Sequence, residues 1–387
     1  MNRRQFLQIS AAAIAASSWL PLASQAAVAD GKLLVLVYLK GGNDAYNTFV
    51  PYADPRYYAF RPNIAVARDQ VIQLTEQLGL HPAMRPLLPM WESHELALLQ
   101  GIGQQQVHDQ HYRDVEMQFT GASPEQYLSE GWLTRAMAVD AARRPLHALA
   151  FGDLDIRVTD PMGPFRGDRL RVVNIQHPSD WMAARDLDKT PHIASEPART
   201  AADKFALANE FQFQARFGDD EFSQALLATA QLAAAGIAPP VVHITLNADS
   251  GDQHHAFDTH WNQLDYHDLA LTRLSVGLAA FRGAMRELGR WNETLLLTYD
   301  EFGRSPRENT EKGTHHGWAS VQMVAGGRVS GGLHGQPLEV TKVHSIGGPS
   351  PAIDYRRLYT TVIESWWGQS AHGVFDRTFQ PLSLLKT

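Results

Sequence analysis

The chain has 387 residues, of which 44 % are hydrophobic and 19 % are charged, and its formal net charge at pH 7 is -7. This is ordinary globular composition, so large disordered regions are not expected. The negative net charge gives no support to nucleic-acid binding, which would need a basic face.

Residues 1–29 are predicted to be an export signal that is removed from the mature protein. Arg3 and Arg4 fit a twin-arginine signal, an Ala-rich apolar run extends from residue 9 to residue 22, and small residues up to Ala26 or Ala29 suit cleavage. The alternative is an N-terminal membrane anchor, for which the run is short and rich in Ala and Ser. We therefore expect a periplasmic or secreted protein that engages the twin-arginine translocase during export and has no stable membrane anchor.

The lack of cysteine restricts the chemistry that an exported protein can use. Export leads to an oxidising compartment, yet the sequence contains no Cys. This excludes disulfide bonds, thiolate metal ligands and a cysteine nucleophile. Any metal must therefore be held by oxygen and nitrogen ligands.

Buried strands are predicted to alternate with helices along residues 30–387. Near-continuous apolar runs are typical of central parallel strands, and apolar residues at helical spacing indicate amphipathic helices. In chain order, the predicted elements are strands at 32–39 and 71–74, a helix at 82–93, a strand at 96–99, helices at 109–119 and 132–142, strands at 148–151 and 170–175, a helix at 200–235, a strand at 241–246, a helix at 269–288, strands at 294–299 and 322–325, and a helix at 355–367. This alternation predicts a single α/β domain with a mostly parallel central sheet and helices on both faces.

Polar clusters follow the four main predicted strands. In chain order they are Asn43-Asp44; His108 with His111; Asp249, Asp252, His254, His255, Asp258 and His260; and Asp300-Glu301 with His315-His316 beyond. In a parallel sheet all four would open onto the edge where α/β proteins bind ligands. Carboxylates and imidazoles gathered at one edge suit a divalent metal.

Each cluster taken alone also has a purely structural interpretation. Asp44 follows two glycines and can cap a helix or a turn, and Asp300 and Glu301 can be a solvated strand end. Asp265, His267 and Asp268 are interpreted as the polar start of a helix, where acids interact with the helix dipole. Four such clusters on one edge favour a functional site, because ionisable groups gather at such sites.

Short motifs along most of the chain resemble one bacterial family. They are Gly41-Gly42-Asn43-Asp44-Ala45-Tyr46-Asn47-Thr48 with Val50-Pro51-Tyr52, Leu80-His81-Pro82-Ala83, Gly131-Trp132-Leu133, Phe257-Asp258-Thr259-His260, and Glu301-Phe302-Gly303-Arg304 through Asn309 to Gly313-Thr314-His315-His316-Gly317. This set resembles domain-of-unknown-function family 1501, which is placed by similarity in the alkaline-phosphatase/sulfatase superfamily.

The resemblance implies an alkaline-phosphatase-like fold with one or two divalent metal ions. By resemblance, one ion would be held by Asp44, Asp300 and Glu301, and the other by Asp258, His260 and His316. Oxygen and nitrogen ligands leave Zn, Mn, Ca and Mg open. The implied activity is hydrolysis of phosphate or sulfate esters, with a small-molecule or glycan ester as the substrate.

One departure from the superfamily pattern concerns the nucleophile. The superfamily places a Ser, Thr or Cys-derived nucleophile near a helix start after the second strand, but residues 94–119 contain none of these residue types. His111, His108 and Arg304 are therefore the candidate catalytic residues, and attack by metal-activated water is one route. The alternative is a non-catalytic metal- or glycan-binding or assembly protein on a degenerate hydrolase scaffold.

Overall fold

The computed structural model describes residues 31–104, 107–108, 110–138, 146–152, 163–178, 208, 210–247, 256–340 and 347–386. The predicted export signal lies outside the described residues, as do Asp249, Asp252, His254 and His255 of the third polar cluster. Within the described ranges, no helix has the length and apolar character that crossing a membrane requires.

Strands are spread along the described chain, and most of them belong to one large sheet. They are β1 (Leu33–Leu39), β2 (Phe49–Val50), β3 (Ile72–Gln73), β4 (Gly79–Leu80), β5 (Leu96–Gly103), β6 (Ala148–Phe151), β7 (Val172–Ile175), β8 (Val241–Leu246), β9 (Thr294–Tyr299), β10 (Arg304–Glu308), β11 (Thr314–His316), β12 (Ser320–Ala325), β13 (Gly332–Gly335) and β14 (Ile353–Asp354). The predicted strand at 294–299 has the observed bounds, whereas the hairpin formed by β10 and β11 was not predicted.

The large sheet has the order β13-β5-β12-β9-β1-β8-β6-β7, with β14 also paired to β5. Its pairs are parallel, except that β12 runs antiparallel to both β9 and β5. Because β12 reverses direction relative to both neighbours, β5 and β9 run the same way. The carboxyl ends of β1, β5, β8 and β9 therefore meet at one edge, and the predicted mostly parallel sheet is confirmed.

Helices connect the strands and cover the sheet. In the part of the chain that the structure describes, the α-helices are α1 (Ala45–Thr48), α2 (Pro55–Phe60), α3 (Leu88–Glu92), α4 (His111–Thr120), α5 (Trp132–Ala136), α6 (Glu221–Ala234), α7 (Gln263–Glu287) and α8 (Arg356–Thr360). The predicted helix at 82–93 begins as a 3-10 helix, Pro82–Leu87, with Pro86 inside it, since proline lacks the N–H that an α-helix needs. The predicted helix at 269–288 begins earlier, at Gln263.

Both faces of the sheet are buried, because alternate side chains of β1 belong to two different hydrophobic cores. Every residue of β1 is buried, and successive side chains of a strand point to opposite faces. Val35 and Val37 belong to a core that contains residues of α6 and α7. Leu34 and Leu36 belong to a second core that contains residues of α4, α5 and α8. This arrangement confirms helices on both faces.

His243 of β8 is fully buried among aromatic rings of the second core. Its ring centroid lies 5.8 Å from that of Tyr299 and 6.2 Å from that of Phe165. Nε2 of His243 lies 2.6 Å from the hydroxyl oxygen of Tyr299. Burial lowers the pKa of His243 from 6.5 to about 3, because the charged imidazolium would lose its hydration.

We expect His243 to make the stability of this protein depend on pH. Between pH 6.5 and about 3, the unfolded chain binds a proton at His243 and the folded chain does not. The contribution of neutral His243 to the free energy of unfolding is therefore fully present above pH 6.5. It is lost as the pH falls, at about 1.4 kcal/mol per pH unit. Urea unfolding from pH 7 to pH 4 should show that the free energy of unfolding falls less steeply with decreasing pH in His243→Phe than in wild type. Parallel slopes would contradict this.

Candidate metal centre

Four side chains from three chain segments meet beyond the carboxyl ends of the strands. His111 is the first residue of α4, Asp258 and His260 lie between β8 and α7, and His316 ends β11. Each offers one ligand atom, and these atoms all lie within 4.8 Å of one another. The exposed fractions of the four side chains range from 12 % for His316 to 30 % for His111 and His260. The group is therefore accessible from solvent.

Oδ1 of Asp258 is the central atom of this group. It lies 3.1 Å from Nε2 of His260, 3.5 Å from Nε2 of His111 and 3.9 Å from Nε2 of His316. The Nε2 atoms of His260 and His316 are 2.9 Å apart. The four ligand atoms therefore form one compact group.

These separations fit a metal ion that prefers nitrogen and oxygen ligands. Tetrahedral zinc with bonds of about 2.0–2.1 Å separates its ligand atoms by about 3.3 Å. Four of the pairwise separations are 2.9 to 3.9 Å and lie on both sides of this value, and no pair exceeds 4.8 Å. Three imidazoles favour zinc or another transition metal over calcium and magnesium, which prefer oxygen ligands.

Glycine allows the hairpin of β10 and β11 to reach His260. A Cβ on Gly313 would lie 2.1 Å from the carbonyl carbon of His260, so a larger residue would force the two segments apart. The N–H of Thr314 donates to the carbonyl of Thr259 at 3.0 Å, and the side chain of Asn309 donates to the carbonyl of His260 at 2.8 Å. These contacts place His316 beside His260.

Arg304 joins the loop after β1 to the central carboxylate. Its guanidinium is buried and donates to the carbonyls of Gly41, Gly42 and Thr314 and to the carboxylate of Asp258. Burial by itself raises the pKa of Asp258. Hydrogen bonds from the three histidines and the charge of Arg304 nevertheless hold that pKa well below its usual range.

Glu301 lies behind His111, at the end of β9. Its Oε1 is 3.0 Å from Nδ1 of His111 and accepts from the N–H of Gly41 at 3.0 Å. A carboxylate in this position keeps the proton on Nδ1 and leaves Nε2 facing the cluster. Burial lowers the pKa of His111, but its contacts with Asp258 and Glu301 outweigh burial and raise that pKa to about 9.

Asp300 and Asp44 are buried and have protein partners of their own. Asp300 accepts from the N–H of Asn43 at 3.3 Å, from the side chain of Gln322 at 2.7 Å and from the hydroxyl of Ser320. Burial raises the pKa of Asp300 well above its usual value.

Asp44 forms a fully buried ion pair with Arg61 and caps α1. The guanidinium of Arg61 donates to both carboxylate oxygens, one of them at 3.0 Å. The N–H of Tyr46 donates to Oδ1 of Asp44 at 3.0 Å, and the side chain of Gln263 also donates to this carboxylate. Burial raises the pKa of Asp44, but Arg61 outweighs burial and lowers it.

The structure brings together the residues of the second predicted ion site and one of the candidate catalytic histidines. Asp258, His260 and His316 meet, and His111 joins them. Among the described residues, the group of possible metal ligands does not include Asp44, Asp300 or Glu301. His108 lies apart from the group, with Nδ1 3.4 Å from Oδ1 of Asp114.

Sequence reasoning missed Arg61, Gln263 and the environment of His267. Arg61 lies outside the predicted strands and helices, and it is buried in an ion pair with Asp44. His267 is buried within α7, and its Nε2 lies 3.0 Å from Oδ1 of Asn43. No local pattern signals these long-range partners.

The comparison with family models identifies the chain's family. The model described as "Protein of unknown function (DUF1501)" matches residues 176–374. The chain belongs to this family. A search of curated proteins finds no match to the chain.

Three solved structures that are similar to this chain illustrate the kinds of protein found. The lipoteichoic acid synthase LtaP from Listeria monocytogenes has 10 % identity and a TM-score of 0.40, with 89 % of this chain and 74 % of that one covered. A phosphonate monoester hydrolase, SpPMH from Silicibacter pomeroyi, has 12 % identity, a TM-score of 0.38 and coverage of 88 % and 74 %. A protein in the alkaline phosphatase superfamily from Vibrio parahaemolyticus has 10 % identity, a TM-score of 0.35 and coverage of 84 % and 69 %. At these values, similarity does not transfer an activity to this chain.

Asp44→Asn tests whether Asp44 stabilises the fold or binds a metal. The variant leaves the buried cation of Arg61 without its counter-charge, so the free energy of unfolding should fall by about 3–5 kcal/mol. The metal content of the folded variant should stay at the wild-type level, because Asp44 lies outside the four-residue group.

The matched control is Asp54→Asn, which alters a partly exposed carboxylate that caps α2 and pairs with the exposed side chain of Arg56. It should change stability by about 1 kcal/mol or less. Denaturant unfolding and elemental analysis measure both quantities. Loss of metal from folded Asp44→Asn would show that Asp44 acts on the site.

Proposed function

We propose that this protein is an exported, metal-dependent hydrolase of phosphate or sulfate esters of small molecules or glycans. The observation that carries the proposal is the convergence of His111, Asp258, His260 and His316 at the carboxyl edge of the sheet. Ligands of open α/β sheets bind at this edge. The motif resemblance to the alkaline-phosphatase/sulfatase superfamily supports the choice of reaction, and the Arg3-Arg4 pair supports twin-arginine export to the periplasm or beyond.

Zinc is the ion that the donor set favours. Catalytic zinc sites have three protein ligands and one open position, and we assign Asp258, His260 and His316 to the ligand positions. When bound, zinc would polarise the ester oxygens and favour ionisation of water. The hydroxyl or thiol nucleophile of the superfamily is missing from residues 94–119, so water is the attacking group in this proposal.

His111 is the residue assigned to move a proton. Nε2 of its ring faces the group, and the ring is 30 % exposed, so it is within reach of a bound ester. Glu301 accepts a hydrogen bond from Nδ1–H of His111 and orients the ring. His111 can therefore exchange a proton with the water or with the leaving oxygen as a general acid or base.

Arg304 and Glu301 act by holding other residues in this proposal. The guanidinium of Arg304 donates hydrogen bonds to three carbonyls and to Asp258. Its N–H groups are therefore engaged by the protein and are not assigned to the substrate. Arg304 fixes the orientation of the Asp258 carboxylate, just as Glu301 fixes the His111 ring. Such partners of metal ligands commonly affect metal affinity or activity by about 10- to 100-fold.

Elemental analysis of the exported protein tests the metal site. We expect close to one zinc ion per chain, and we expect His316→Ala to lose it because one of three ligands is removed. His315→Ala is the matched control, since His315 is the exposed neighbour of His316 and is not part of the four-residue group. A zinc-free wild type, or equal loss in both variants, would overturn the assignment.

A second candidate function is a non-catalytic metal-binding protein. The observation that favours it is that all four ligand atoms lie within 4.8 Å, since zinc sites closed by four protein ligands are usually structural. In that case His111 is a fourth ligand and no position stays open for a substrate.

His111→Ala separates the two functions. In the hydrolase the variant keeps its zinc but loses about 100- to 10,000-fold in turnover, which is the usual contribution of an acid or base. In the binding protein the variant binds zinc more weakly, and wild type has no turnover. Zinc titration and a panel of aryl phosphates and aryl sulfates measure both. Full turnover in His111→Ala would exclude the proton-transfer role.

A further inference from the structure

Asp114 is a buried carboxylate that the proposed chemistry does not use. It lies on α4, three residues after His111, and its side chain is fully buried. Buried carboxylates are rare unless they are paired or hydrogen-bonded. The partners of Asp114 therefore indicate what it does.

Those partners all come from the segment that leads into α4. The carboxylate accepts from the N–H of His108 at 3.0 Å and from the N–H of Gln110 at 3.3 Å. The side chain of Gln104 donates to Oδ1 at 2.7 Å, and the Nδ1 atom of His108 lies 3.4 Å from the same oxygen. Asp114 therefore connects the end of β5 to the first turn of α4.

This connection replaces an ordinary helix cap. The residue before α4, Gln110, makes no side-chain capping hydrogen bond. The N-terminal turn of a helix has free N–H groups and a positive dipole end, and both favour a carboxylate. Asp114 reaches back to the N–H of Gln110 and in this way defines where the helix begins.

His111 is the first residue of α4, so the start of this helix sets the position of its side chain. The other members of the group are tied to each other by Arg304 and by the contacts of Thr314 and Asn309. His111 comes from a separate segment, and its ring reaches across to Asp258 and Glu301. A small shift of the first turn would therefore move this ring relative to the other three.

We propose that Asp114 is a positioning residue that holds His111 in place through the start of α4. In this proposal His108 belongs to the same connection, as a hydrogen-bond partner of the Asp114 carboxylate. The inference rests on the proposed role of His111 at the site, and it concerns a residue that neither binds the ion nor touches the substrate.

Chemical modification of the metal-free protein tests the placement directly. Diethyl pyrocarbonate modifies exposed imidazoles in their neutral form, so the rates are compared at one pH for all variants, and peptide mass spectrometry gives the rate for each histidine. In Asp114→Asn, which keeps the shape but loses the charge and one acceptor, we expect His111 to react several-fold faster. The rates for His260 and His316 should not change.

Glu116→Gln is the matched control. Glu116 lies on the same helix but pairs with Arg113 and Arg166, so its removal should leave the rate at His111 unchanged. Equal acceleration at all three histidines would indicate general loosening and would overturn the inference. An unchanged rate at His111 would overturn it as well.

A double-mutant cycle tests the effect on the reaction. We expect Asp114→Asn to lower kcat/KM by about 10- to 100-fold, and to have no further effect in a His111→Ala background. Equal losses in both backgrounds would show that Asp114 does not act through His111. If Asp114→Asn does not fold, Gln104→Leu removes one contact of the same carboxylate and should show the same pattern more weakly.

Failure of the inference and failure of the proposed function are distinguishable. The modification rates need neither metal nor activity, so they report on Asp114 alone. A wild type without zinc or turnover would refute the proposed function and leave those rates informative.

Discussion

The buried guanidinium of Arg304 connects chain segments that are distant in sequence, and the arrangement of the site depends on it. It contacts the carbonyls after β1, the carbonyl of Thr314 in β11 and the carboxylate of Asp258. Removing a cation from water costs several kcal/mol unless hydrogen bonds and a counter-charge compensate for it. Because these contacts compensate for that cost, the same bonds that stabilise Arg304 also set the geometry of the site.

Four carboxylates at one edge of the sheet have four different environments. Asp44 is paired with the cation of Arg61, Asp300 accepts from neutral donors, and Glu301 contacts an imidazole and a backbone N–H. Asp258 is surrounded by three imidazoles and one guanidinium. Among the four, Asp258 belongs to the group of possible metal ligands.

The fold could be predicted largely because it is encoded by local patterns. The strand at 294–299 and its buried neighbours are runs of apolar residues, and α7 shows helical spacing from residue 269 onward. The apolar spacing marked α7 only from residue 269, because its first turns are polar, and His267 is buried by a contact with Asn43. The β10–β11 hairpin was missed for a related reason, since Arg304 and Thr314 are buried through hydrogen bonds and have no apolar run around them.

The sequence by itself determined the mostly parallel α/β architecture, the family and the edge of the sheet at which acids and imidazoles gather. Those properties follow from hydrophobic period, motif order and the direction of parallel strands. The tertiary structure alone decided that His111 joins Asp258, His260 and His316, while Asp44 pairs with Arg61 and Glu301 lies behind His111. The physical reason is that a carboxylate binds whichever cation or donor lies within about 3 Å. Residues that are 17 to 190 positions apart, as in these pairs, reach that distance only when the chain folds.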